Sequence, residues 1–195
     1  MNHNEGFFVG GFTFLLVFVT AWLVKATVRL ADDARVTAER QSAETRTLQR
    51  AYLNVLPKGI ETTRGGAVIG QVAIRNVGHL PARKVSISAR IGWFENRTED
   101  AFDDGQVPEQ SLVLPAGAEI PRGTGALPRG RGVLSSGKGF IYVWGRVTYE
   151  DGFDTNRWVM FCHRYPCEAS IGVPGTSQGI EAKYARHHAE HNDAN

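Results

Sequence analysis

The sequence predicts a mainly β protein, an antiparallel sandwich of about seven strands carried behind one long N-terminal helix. Three observations lead there. An uncharged apolar run opens the chain, a segment without Gly or Pro follows it, and beyond residue 51 the hydrophobic period changes from 3.6 to 2 in short stretches separated by Gly, Pro and Asn. A chain of 195 residues has room for one ordinary domain and an appendage. The expected organisation is an anchor over 1–24, a helical stalk over 25–50, the β-sandwich domain over 51–168 and a polar, flexible tail over 169–195.

The run GFFVGGFTFLLVFVTAWLV, residues 6–24, carries no formal charge. As a helix it reaches about 28 Å, close to the hydrocarbon thickness of a bilayer. Phe7, Phe8, Phe12, Phe14, Leu16 and Phe18 point all round the axis and leave no polar face, which argues for a single membrane span over a core helix. Glu5 is the only formally charged side chain before the run, so the reading is an uncleaved anchor and not a signal peptide with a basic leader. Gly6 and Gly10 have the small-xxx-small spacing that lets helices approach in a membrane, so span and stalk together offer a route to homo-oligomers. Lys25, Arg29, Arg35 and Arg40 flank the far end of the run, and basic flanks stay in the cytoplasm; the expected location is a bacterial inner membrane with the soluble domain inside the cell.

Residues 25–50 are rich in Ala, Arg and Glu, with Arg35/Glu39 and Arg40/Glu44 one turn apart and no sustained apolar heptad. This is a solvated helix that, if continuous, extends the membrane helix by about 40 Å. Strands are expected over 52–56, 67–77, 83–94, 111–114, 139–150 and 155–164. The clearest is VSISARIGW, where Val85, Ile87, Ala89, Ile91 and Trp93 alternate with Ser86, Ser88, Arg90 and Gly92, one dry face against one wet. NVGHLPA is a turn with Gly78 expected at positive φ, and EDGFD is a hairpin around Asp151 and Gly152. Residues 95–138 read as surface loop with one or two edge strands.

Motifs that suggest chemistry fail on inspection. GVLSSGKG, residues 132–139, lacks the hydroxyl of a phosphate loop and is followed by a strand sequence where that loop needs a helix, so a Gly-rich hairpin approach is expected. Glu95, Glu99, Asp100, Asp103 and Asp104 fit no calcium-loop spacing. His187 and His191 stand four apart without a third ligand, and Cys162, His163 and Cys167 lack a partner knuckle. No GxSxG or equivalent frames a nucleophile. The sequence therefore offers no catalytic residue, cofactor or metal ligand, and a formal charge of +2 gives no field to gather nucleic acid.

Several pieces, in order, resemble a widespread group of uncharacterised, membrane-anchored bacterial proteins, mainly proteobacterial: the apolar N-terminal span, TAERQ leading to QRAYLNV, IRNVGHLPARKV, the LPAG turn at residues 114–117, IYVWGRVTYEDGFDTNRWVMFCHRY, and the ending EAKYARHHAEHNDAN. The resemblance implies a small immunoglobulin-like β-sandwich behind an inner-membrane anchor, and it brings no catalytic residues. The functional expectation is a membrane-tethered binding or scaffold module with an unidentified protein partner. The alternatives are an accessory subunit of a larger inner-membrane complex and an enzyme with a site dispersed in the 95–138 loops. FIYVWGRVTY is apolar on both faces. Ile141, Val143 and Val147 are expected in the core, with Tyr142 and Trp144 on the outer sheet, covered by the tail or by the chain's Gly-rich loops, or kept for a partner.

Overall fold

In the computed structural model, residues 5–98, 102–103, 111–153, 155–170, 178–188 and 191–195 are described, with side chains from residue 15 onward. The chain divides into two units, Met1–Thr47 and Leu48–Asn195. Helix α1, Glu5–Gln49, runs unbroken through the first. The absence of Gly and Pro after residue 11 explains the continuity. Thr20 and Thr27 turn their hydroxyls back onto the carbonyls of Leu16 and Leu23, which hides these polar groups within the apolar stretch. Further on, Arg35 pairs with Glu39 at 3.2 Å. The expected span over 6–24 begins in residues 6–14, whose side chains lie outside those described. Among the described residues, no helix is long and apolar enough to cross a membrane.

The second unit holds strands β1 (Leu53–Thr62), β2 (Val68–Asn76), β3 (Ala82–Phe94), β4 (Leu112–Leu114) and β5 (Glu119–Gly123), then the short helix α2 (Gly130–Ser136). Strands β6 (Phe140–Glu150), β7 (Asn156–Pro166), β8 (Gly179–Glu181) and β9 (Arg186–His187) follow. They form two antiparallel sheets in the orders β5-β2-β1-β8 and β4-β3-β6-β7-β9. Between the sheets, Val72 and Ile74 of β2 meet Val85 of β3, Ile141, Val143 and Val147 of β6, and Phe161 and Tyr165 of β7. The fold is therefore mainly β and sandwich-like, with the inner face of β6 where alternation put it.

Several expectations are corrected. β1 continues to Thr62 through a bulge between Pro57 and Gly59, because Pro57 sits where β1 donates nothing to β2. On the face of β3 expected to be wet, Arg90 is exposed but Ser86 and Ser88 are buried. Gly78 does not have positive φ; a Cβ there would lie 2.3 Å from the Arg50 carbonyl oxygen, so close backbone approach requires glycine. Residues 130–136 form α2, closed by Gly137 at φ 62, where a hairpin approach was expected; β6 then follows, so the geometry of a phosphate loop is missing.

The tail, expected to be flexible, is held in the residues described. β8 pairs with β1, β9 pairs with β7, and Ala194 bridges to Val159. Ile180 enters the core, and backbone and amide groups hold the end of the tail: Met160 N–H donates to the Asp193 carbonyl at 2.8 Å, and Cys162 N–H donates to the Asn192 side chain at 3.0 Å. The long edge of β7 thereby finds partners.

Asn76 joins the turns. Fully buried, it donates from Nδ2 to the Leu80 carbonyl at 2.8 Å and the Leu114 carbonyl at 3.0 Å, and accepts Gly78 N–H on Oδ1 at 3.0 Å. Asn76→Ala leaves these groups without partners in a dry corner. It should lower unfolding free energy by about 3 kcal/mol, seen as a lower urea midpoint with an unchanged m-value. Asn76→Asp should be no better, because a carboxylate oxygen would then face two carbonyls.

Candidate functional site

The outer face of the five-stranded sheet is aromatic. Cross-strand register sets Gly92 opposite Tyr142 and Arg90 opposite Trp144, with Cys162 opposite Trp144 on the other side. Phe102 packs on Trp144 at 4.6 Å and on Tyr142 at 5.3 Å, and His188 meets both Phe102 and Tyr142 edge-on at 5.5 Å. Trp144 Nε1 donates to the Asp103 carbonyl at 3.1 Å, and Arg90 reaches the Asp103 carboxylate at 3.4 Å. Tyr142 is fully buried under this cover, and Trp144 is half-buried. The chain's own Phe102 and His188 thus lie on the face where Tyr142 and Trp144 were expected to be covered by the tail or by loops, or kept for a partner.

A second feature lies at the gap between β1 and β7. β8 pairs only with Gly59–Glu61 of β1, so among the described residues the first half of that strand has no paired strand on one side. Here a cleft of about 490 Å³ opens, walled by Leu53 and Val55 of β1, Val159, Phe161 and His163 of β7, and His187 of β9. The Val77 N–H bond to the Tyr52 carbonyl fixes the phase of the ladder, so Asn54 and Leu56 bond to β2 while Leu53, Val55 and Pro57 turn their backbone groups away from it, on the side where Leu53 and Val55 line the cleft. Two tyrosines bound this free stretch. Leu53 N–H meets the Tyr149 hydroxyl, and Gly59 N–H donates to the Tyr165 hydroxyl at 3.3 Å. Pro57 has no N–H to give.

His163 is the buried polar residue of the cleft wall, beside the more exposed Asn54, His187, Asn192 and Asp193. It is 1% exposed, and among the described residues neither Nδ1 nor Nε2 has a hydrogen-bond partner. Its ring lies 5.3 Å from His187 and 5.7 Å from Phe161. Burial pushes its pKa down to about 4, and the neighbouring His187 adds to the effect. The sequence carried a signal for this residue: in NRWVMFCHRY, His163 has the parity of Val159, Phe161 and Tyr165, which puts an imidazole at a core position. Weighing it only as a zinc ligand beside Cys162 hid that signal.

The other candidates are not brought together. Cys162 faces the outer side with Trp144, whereas Cys167 lies in the core; both are free and buried, and burial pushes their thiols up to about 12 and about 11. His187 lies on a strand, so it forms no helical pair with His191. Of the acidic cluster, Glu99, Asp100 and Asp104 lie outside the described residues. Among the described residues, no group of three or more His, Cys, Asp and Glu is placed to hold a metal ion. No family model, curated protein or solved structure matches the chain.

Histidine burial predicts a pH dependence. With a folded pKa near 4 against an ordinary 6.5, the unfolded chain binds more protons between those values, so stability falls as pH drops through that window. The loss should total roughly 3 kcal/mol, read from urea unfolding at pH 7, 5.5 and 4. His163→Phe should remove most of that slope.

Proposed function

We propose that this chain is a membrane-tethered binding module: the helix over residues 6–24 anchors one immunoglobulin-like domain, and the domain holds a ligand in the cleft between its sheets. The observation that carries the binding role is His163, a neutral imidazole buried in the cleft wall with both nitrogens unpartnered among the described residues. Leaving such a group dry costs stability, on the order of 1–3 kcal/mol. A ligand that hydrogen-bonds to it recovers that cost. The same burial argues against catalysis: a base with a pKa near 4 is poorly matched to proton transfer at neutral pH, where general bases work best with a pKa near the ambient value.

The immunoglobulin-like reading is supported by strand order. β1-β2-β5 follows the A-B-E order of that fold, and β4-β3-β6-β7 follows C′-C-F-G. The anchor is supported by the uncharged run in the sequence and by Leu15, Leu16, Phe18, Trp22 and Leu23, all exposed on α1, since so much adjacent apolar surface needs cover. The basic residues beyond the run support a cytoplasmic domain.

Cell fractionation tests the anchor. The full chain should stay in the membrane pellet after an alkaline carbonate wash, and Leu16→Arg with Phe18→Arg should release it, at about 3 kcal/mol of insertion cost per arginine. Because the native thiols are buried, orientation needs a cysteine introduced at an exposed site: Val113→Cys should react with a membrane-impermeant maleimide only after permeabilisation. Labelling in intact cells would reverse the orientation. For the binding role, partners recovered after mild detergent extraction should be lost with Val159→Trp, which fills the cleft, and retained with Trp144→Ser. The opposite pattern moves the binding surface to the outer sheet, and loss with neither variant favours an accessory subunit held through its helix.

A further inference from the structure

We infer that the cleft takes a short extended peptide segment with apolar side chains, which adds to the free half of β1; this deepens the binding role proposed above and rests on it. Peptide is the chemistry that the walls complement. Along the free stretch of β1, the Leu53 N–H is occupied by the Tyr149 hydroxyl, the Gly59 N–H by the Tyr165 hydroxyl, and Pro57 has none. Among the described residues of this stretch, Val55 alone is left to present an N–H and a C=O side by side into the cleft. That pair is the half of a hydrogen-bonded cross-strand pair which one residue of an incoming strand completes. A carboxylate satisfies only the N–H of it and a metal ion only the carbonyl.

The facing wall fits the same occupant. Alternate residues of a strand point to opposite sides, so an added segment sends one set of side chains toward Leu53, Val159 and Phe161 and carries backbone groups toward His163. Being neutral, the His163 ring offers one donor and one acceptor, the two functions a peptide group answers. A volume of about 490 Å³ lies within the range of small-ligand sites and limits the occupant to a few residues. Asp193, an acidic residue that lines the same cleft, disfavours an anionic ligand.

The test uses the full chain in lipid nanodiscs, labelled with ¹⁵N at valine and histidine. Acetyl-Val-Ala-Val-Ala-amide is the probe, with butyrate and zinc chloride as separate arms. The peptide should shift the Val55 amide and the His163 ring nitrogens in one saturable process with a Kd of about 1 mM or tighter. His163→Phe should weaken binding about tenfold while raising thermal stability, a combination that a purely structural histidine does not give. Trp144→Ser should leave the titration unchanged. No peptide shift at Val55, or saturable shifts with butyrate or zinc in its place, overturns the inference. If in that case partner capture still depends on an unfilled cleft, the binding role stands and only the ligand class is wrong.

Discussion

The fold depends on one buried corner. The chain passes from the four-stranded sheet to the five-stranded sheet between β2 and β3, and passes back between β4 and β5; both crossings meet at Asn76. Its side chain ties the Leu80 carbonyl of the first crossing to the Leu114 carbonyl at the end of β4. Its backbone N–H donates to the Ala118 carbonyl, and its own carbonyl accepts Gly117 N–H. Few other side chains do this: an amide with two donors and an acceptor satisfies three backbone groups at once, in a place where water does not reach them. The close passage of Gly78 against Arg50 and the positive φ of Gly117 follow from the same corner, because both turns must fold tightly to reach one side chain.

With the crossings fixed, β6 becomes the axis of the larger sheet. It pairs along its length with β3 and β7, and Gly145 lets β3 come so near that a Cβ would lie 1.9 Å from the Ser88 carbonyl oxygen. One face builds the core and the other is roofed by Phe102 and His188. The roof requires a tail that stays in place, and polar groups hold it. Asn192 lends its side-chain oxygen to Cys162 N–H and donates to the His188 carbonyl at 2.8 Å.

Period-2 alternation made β1, β2, β3, β4, β6 and β7 legible, whereas β5 was hidden in the 95–138 stretch, and it separated Ile141, Val143 and Val147 from Tyr142 and Trp144. The missed elements share a cause. β8, β9 and the last residues contain little apolar surface, so composition signals nothing, yet an unpaired strand edge captures them through backbone groups that no pattern of side chains records. Proline misled in a related way: Pro57 looked like a strand end, although its missing N–H falls on the side of β1 that has no neighbour. The cleft was invisible for a different reason. It arises because β8 is short, and the length of a pairing is a property of two distant segments.

An open strand edge is a hazard for a protein, since any extended chain can pair with it. Here the free half of β1 is not presented to other copies of the sheet. β7, β9 and residues 192–194 stand in front of it and leave a gap of limited volume, while Lys58 at the end of the free stretch pairs with Glu119 at 2.8 Å and keeps charge at the border. Entry is thereby limited to something narrow, and edge-to-edge pairing of whole sheets is blocked. If stability alone had shaped this region, a longer β8 and a phenylalanine at position 163 would close the edge and fill the wall. A retained gap beside a dry imidazole departs from the best packing at two adjacent points, and the departure is of the kind that binding sites require.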